Sequence, residues 1–183
     1  MKFELVEIED LSDGRCHIYS VLLDNQEKTE LEKFYSTVSQ SFPEEVLEMM
    51  DRLEYIGHER GADEFFFKLG EGRPGDGVCA LFDRPDAHLR LYCIRFGSLV
   101  LVVGGGGEKP RSIRTWQEKK DLSDAATLMA RVSETLARAI REKDLIIMDD
   151  GSLKGCFQYE LGYDEDKKNK VGFVGYFGGH GSL

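Results

Sequence analysis

Apolar and polar residues alternate at the start of the chain. In residues 2–9 (KFELVEIE), Phe3, Leu5 and Ile8 keep a nearly period-two pattern, as expected of a strand that buries one face. Ser12-Asp13-Gly14 marks a turn, and residues 16–23 (CHIYSVLL) form a second β-like run. The two runs together predict a hairpin. The period then becomes helical. Leu31, Phe34, Tyr35 and Val38 fall on one side, with Glu27, Lys28, Glu30, Glu32 and Lys33 on the other. This predicts a helix capped by Asp24 and running to about Gln40. Ser41 with Glu44 three residues on has the capping-box pattern, and Pro43 suits a first turn. Val46, Leu47, Met50, Leu53 and Ile56 give the second helix its apolar face, and Gly57 or Gly61 ends it. Two amphipathic helices joined this tightly predict an αα-hairpin.

Four strand candidates follow: residues 64–69 (EFFFKL), 78–82 (VCALF), 87–96 (AHLRLYCIRF) and 99–103 (LVLVV). The short links between them, above all Gly97-Ser98, imply an antiparallel meander. Residues 121–143 carry Ala125, Leu128, Met129, Val132, Leu136, Ala139 and Ile140 at helical spacing, which predicts a long helix capped by Asp121 or Ser123. A last strand is expected within 155–161, and a weakly ordered tail rich in glycine and aromatics beyond it. The order β-β-α-α-β-β-β-β-α predicts an α+β protein: a helical hairpin packed on a small, mainly antiparallel sheet, plus the long helix. Residues 1–150 form one domain in this reading, and 151–183 a C-terminal strand and tail.

Composition narrows the class. The chain has 183 residues, of which 41% are hydrophobic and 32% charged, an ordinary balance for a globular domain. No apolar run approaches the ~18–20 residues of a spanning helix. The start, Met1-Lys2-Phe3-Glu4, has no apolar leader segment, so a cytoplasmic location and no membrane partner are expected. Cys16, Cys79, Cys93 and Cys156 are scattered without a CxxC pair, so no metal and no cofactor are expected.

The net charge is −10, unevenly spread. Residues 1–60 hold 6 Lys/Arg against 15 Asp/Glu, residues 61–120 hold 10 against 8, and residues 121–183 hold 8 against 11. The central third alone is net positive. It ends in the strip KPRSIRTWQEKK, residues 109–120, with five bases and one acid. Basic residues interleaved with an aromatic suit nucleic acid. Arg114, Trp116, Lys119 and Lys120 are therefore candidate nucleic-acid contacts; a solvated connection to the long helix accounts for the strip equally well.

Gly104 to Gly107 follow a strand, as phosphate loops do. Their spacing fits neither GxxxxGK[ST] nor GxGxxG, and Pro110 interrupts a following helix. A bulged or flexible strand end is the simpler reading.

Strand parity is more informative. His88, Arg90, Tyr92 and Ile94 share one face of residues 87–96, and Leu89, Leu91, Cys93 and Arg95 the other. In residues 64–69, Lys68 shares a face with Phe66 and Glu64, opposite Phe65, Phe67 and Leu69. If the helices cover the Leu/Cys face, then Lys68, Arg90 and Tyr92 project together from an open one. The simpler reading is a half-wet sheet face where Arg stems lie over Tyr. His88, in the same row, is a further candidate contact and, for the RNA chemistry that the resemblance below implies, a reserve acid or base.

A helical pair followed by FFFKLGEG, LRLYCIRFG and LVLVVGGGGEKP resembles the RelE/HigB-like toxins of bacterial type II toxin–antitoxin pairs. The likeness spans about residues 20–120, in an acidic, divergent chain with a C-terminal extension. The matching positions are Lys68, Arg90 with Tyr92, and Lys109, with Arg111 in the same segment after the strand. The resemblance implies an mRNA endonuclease acting at the ribosome without a metal, held in check by an antitoxin of the helix-turn-helix type. Attack of a ribose 2′-OH on the adjacent phosphate leaves a cyclic phosphate and a free 5′-OH. Such chemistry needs a base, an acid and cations for the phosphorane charge. Lys68, Lys109 and Tyr92 are the candidates for proton transfer, and Arg90 and Arg111 for phosphate charge. The alternative is a non-catalytic interaction module on the same scaffold.

Overall fold

The computed structural model describes residues 1–71, 75, 77–110 and 116–161, with the backbone alone for Trp116 and Gln117. The hairpin of β1 (Lys2–Glu7) and β2 (His17–Leu23) opens the chain. Helix α1 (Glu30–Val38) starts later than the Asp24 cap implied. Thr29 and Glu32 form a reciprocal capping box there, the Thr29 side chain accepting from Glu32 N–H and Glu32 from Thr29 N–H. Helix α2 (Pro43–Tyr55) is capped by Phe42 with no side-chain bond, so Ser41 does not serve as its cap. Pro43 occupies the first turn, where a missing N–H costs nothing. A π-helical turn (Ile56–Arg60) extends α2 to Gly61, whose φ of 86° ends it.

The expected strand 64–69 is largely replaced. Glu64–Phe66 form a 3-10 turn, and only Phe67–Lys68 form a strand, β3. Phe66 and Phe67 are both buried while Phe65 and Leu69 are exposed, so the strict alternation read from the sequence fails over this stretch. Strands β4 (Val78–Leu81), β5 (Leu89–Phe96) and β6 (Val100–Glu108) follow. Helix α3 (Trp116–Glu142) begins earlier than either expected cap. A small hairpin, β7 (Leu145–Ile147) with β8 (Leu153–Gly155), precedes β9 (Gln158–Glu160).

Seven strands form one sheet in the order β3-β4-β5-β6-β2-β1-β9. It is mixed: β2 and β6 run parallel, His17 opposite Val100 to Ser20 opposite Val103. The remaining pairs are antiparallel. The sheet is thus larger and less uniform than the small meander expected. The β1–β2 hairpin docks beside β6 because the αα crossover returns the chain on the far side of the sheet.

Both faces of the sheet are covered. Leu31, Phe34 and Val38 of α1 and Val46, Met49 and Leu53 of α2 pack on Leu89, Leu91, Cys93, Leu101 and Val103. Met129, Val132 and Leu136 of α3 pack on Tyr92, Ile94, Val100 and Val102. Central strands buried on both sides read as continuous apolar runs, as LVLVV does. This overturns the expected open face. The even-numbered side of β5 lies under α3, and Tyr92 is 5% exposed.

The glycine run lies inside β6. Leu91 opposes Gly106 and Cys93 opposes Val103, so one extra residue bulges opposite Tyr92. A Cβ on Gly106 would sit 1.9 Å from the Arg90 carbonyl oxygen, and one on Gly104 2.3 Å from Met129 Sδ. These glycines let a strand and a helix approach closely. Among the described residues no helix is long and apolar enough to cross a membrane.

Candidate anion-binding site

Pairing across the sheet brings sequence-distant cations together. Lys68 of β3 opposes Ala80 of β4, and Ala80 opposes Tyr92 of β5. The three lie in one row on one face, with the small alanine between the longer side chains. Arg90, two residues before Tyr92, opposes Gly107 of β6. Lys109 follows that strand, its N–H donating to the His88 carbonyl at 2.7 Å. Residues from three parts of the chain thereby meet at one end of the sheet.

Asp83, just past β4, is the centre of the group. Its side chain is 3% exposed. Lys68 Nζ lies 2.6 Å from Oδ1, Lys109 Nζ 3.1 Å from Oδ2, and Arg90 Nε 3.4 Å from Oδ2. Arg90 Nη1 also reaches Glu71 Oε2 at 3.0 Å, and Lys109 Nζ donates to the Arg84 carbonyl at 3.0 Å. Among the described residues, three cations therefore share two carboxylates. One positive charge is left over in a partly dehydrated setting, where a charge acts more strongly than in water.

The proton affinities follow the packing. Burial works to raise the Asp83 pKa, but hydrogen bonds from Lys68 and Lys109 and the charge of Arg90 outweigh it, so the carboxyl is held below its usual range. Burial works against a charged Arg90, yet Glu71 and Asp83 push its pKa up. Tyr92 is raised above the ordinary phenol value, chiefly by burial, although Arg90 lowers it by charge and by a hydrogen bond to the hydroxyl. Tyr92 thus keeps its proton at neutral pH and is suited to donate rather than accept one.

Four of the sequence candidates, Lys68, Arg90, Tyr92 and Lys109, converge here. His88 does not join them as expected. It lies outside β5, stacked on Phe42 with ring centroids 4.7 Å apart, and its Nδ1 is 3.2 Å from Glu45 Oε2. Glu45 turns it toward α2, although His88 and Asp83 line one cleft of about 440 Å³. Lys119 and Lys120 are exposed on α3, and Lys120 pairs with Asp124 at 2.9 Å. Arg111, Arg114 and the Trp116 side chain lie outside the described residues.

The sequence reading passed over Asp83 and Glu71. Asp83 looked like part of a polar turn, Asp83-Arg84-Pro85-Asp86. Its clue was chemical. Three cations expected on neighbouring strands require an anion among them.

No family model matches the chain, and neither a curated protein nor a solved structure matches it.

Proposed function

We propose that the protein is a RelE/HigB-like toxin: a metal-independent RNA endonuclease that cleaves mRNA by 2′-OH attack at the ribosome and is silenced by a partner antitoxin. The observation that carries this reading is the convergence of Lys68, Arg90, Tyr92 and Lys109 around Asp83. Cleavage by an internal hydroxyl needs no group beyond charge stabilisation and proton transfer. Arg90 and Lys109 supply charge for the phosphorane; Arg111, outside the described residues, keeps only the phosphate role that the resemblance implies. Tyr92, holding its proton, serves as the acid for the departing 5′-oxygen. Lys68 and Lys109, paired as ammonium groups with Asp83, have no lone pair to accept a proton, so His88, which lines the same cleft as Asp83, takes up the 2′-OH proton. The bond formed is 2′-O to phosphorus and the bond broken is phosphorus to 5′-O, so no oxidant or cofactor enters.

The second reading, a non-catalytic interaction module, is favoured by one feature. Asp83 and Glu71 already neutralise two of the three cations.

Brief, controlled induction in a bacterial host separates the two, with growth and mRNA 5′ ends followed beside the Arg90→Ala/Lys109→Ala double variant. The endonuclease reading expects rapid arrest and new 5′ ends within reading frames, both lost in the double variant. Normal growth with folded wild-type protein, or cleavage undiminished in the double variant, overturns it. Co-purification with a small helix-turn-helix protein encoded beside it supports the antitoxin partner.

A further inference from the structure

The two carboxylates of the cluster differ in how they are held. Asp83 sits inside, with three cations around it and almost no solvent contact. Glu71 sits at the rim, its side chain and that of Arg90 each 22% exposed, with Arg90 as its ion-pair partner. It lies between β3 and β4, tied to the sheet through its N–H, which donates to the Val78 carbonyl at 3.2 Å. Gly70 precedes it at φ 73°, and a Cβ there would meet nothing within 4 Å. That peptide can turn at little steric cost.

We propose that Glu71 is the resident anion of this site: its carboxylate holds, on Arg90, the position that a substrate phosphodiester takes, and RNA binds by displacing it. This rests on the reading of the cluster as a phosphate site.

Three points carry the inference. Glu71 takes one guanidinium donor, Nη1, while Nε faces Asp83, and a phosphate oxygen accepts from such a donor as a carboxylate oxygen does, so the two ligands compete for it. A phosphodiester and a carboxylate each carry one negative charge, so the exchange leaves the net charge of the cluster unchanged. Buried Asp83 keeps Lys68, Arg90 and Lys109 gathered throughout, because displacing it would strand all three. The cost of displacing Glu71 is the same for every ligand that takes its place. A lone phosphate must repay it from one contact, whereas a strand that reaches Lys68 and Lys109 as well repays it and keeps net affinity.

The test uses purified wild type, Glu71→Gln, Glu71→Ala and the Glu71→Gln/Arg90→Ala double variant. Binding of a short 2′-O-methyl RNA, which cannot be cleaved, is read by fluorescence anisotropy. Binding of inorganic phosphate is read by calorimetry, and melting curves establish that each variant folds. Both single variants are expected to bind the RNA about two- to fivefold more tightly than wild type. The proportionate gain for phosphate is of the same size, and the gain in RNA affinity is absent in the double variant. Wild-type binding with no gain, or a loss, in both single variants overturns the role of Glu71 and leaves the phosphate site standing. Absence of RNA binding in wild type and variants alike overturns both.

Discussion

At the start of β5 one carboxylate reaches in from α2 and another from the end of β4. Glu45 accepts hydrogen bonds from the N–H groups of His88 and Leu89, at 2.8 and 2.9 Å through Oε1, while Oε2 meets the His88 ring. Asp83 is surrounded by the side-chain nitrogens of Lys68, Lys109 and Arg90. Both acids leave water to do this, and both are compensated. The difference lies in the partners. Backbone donors exist wherever a strand begins, and satisfying them fixes the path of the chain. Three cations beside one acid have no such structural necessity, since a hydrophobic cluster would hold the strands as well. Glu45 serves the fold, whereas Asp83 gathers charge that the fold alone does not require.

Substitutions at the two acids test that contrast. Asp83→Ala strands three cations in a half-buried setting and is expected to cost about 2–4 kcal/mol in urea denaturation. It should also abolish RNA binding. Glu45→Ala leaves two strand-start N–H groups to find water and is expected to cost about 1–2 kcal/mol, with RNA affinity unchanged. If Glu45→Ala proves the more damaging to RNA binding, the division between the two acids collapses.

Acidity sharpens the contrast further. The Asp83 pKa is lower in the folded than in the unfolded chain, so its stabilisation is fully present above the unfolded value of ~3.9. It fades as pH falls through the folded value. The stability difference between wild type and Asp83→Asn should therefore stay constant from about pH 7 to pH 5 and shrink below about pH 4. A difference that already changes near neutrality would mean that another group carries it.

The smallest effect is expected on α3. Lys120 is exposed and pairs with Asp124 four residues on. Lys120→Ala should leave the melting temperature unchanged and weaken RNA binding far less than Lys109→Ala, as anisotropy can measure. Equal losses would extend the RNA path along α3.

Much of this arrangement was legible in the sequence because it depends on local periodicity. The odd and even sides of β5 separate into different core layers as its alternation predicts. Thr29-Glu30-Leu31-Glu32 carries its capping box in plain order, a signal that outranks the lone Asp24. What alternation does not reveal is how many layers cover a sheet. The apolar stripe of α3 has to be buried somewhere, and Gly104 shows where, by making room for Met129. The EFFFKL run fits a strand by composition. Tertiary packing instead buries both Phe66 and Phe67, which an extended chain cannot do on one face. For the site, each cation was legible alone, since a charged residue on an otherwise apolar strand stands out. Their shared counter-ion was not, because Asp83 acquires its meaning only when β3, β5 and the end of β6 close around it.

The outer edge of β1 has a consequence in time. Lys2 pairs with Glu160 and Glu4 with Gln158, so β1 is flanked by a strand made much later than itself. Strand β2 likewise waits for β6 before its parallel partner exists. At about 5–20 residues added per second, the N-terminal hairpin spends on the order of ten seconds without either flank. Contacts so distant along the chain make folding slow. The Asp83 cluster needs β3 through Lys109 in register, so it forms only after that whole stretch has been made. A nascent chain thus passes through a stage in which the hairpin exists and the charged site does not, and a partner that recognises the finished sheet must wait for β9.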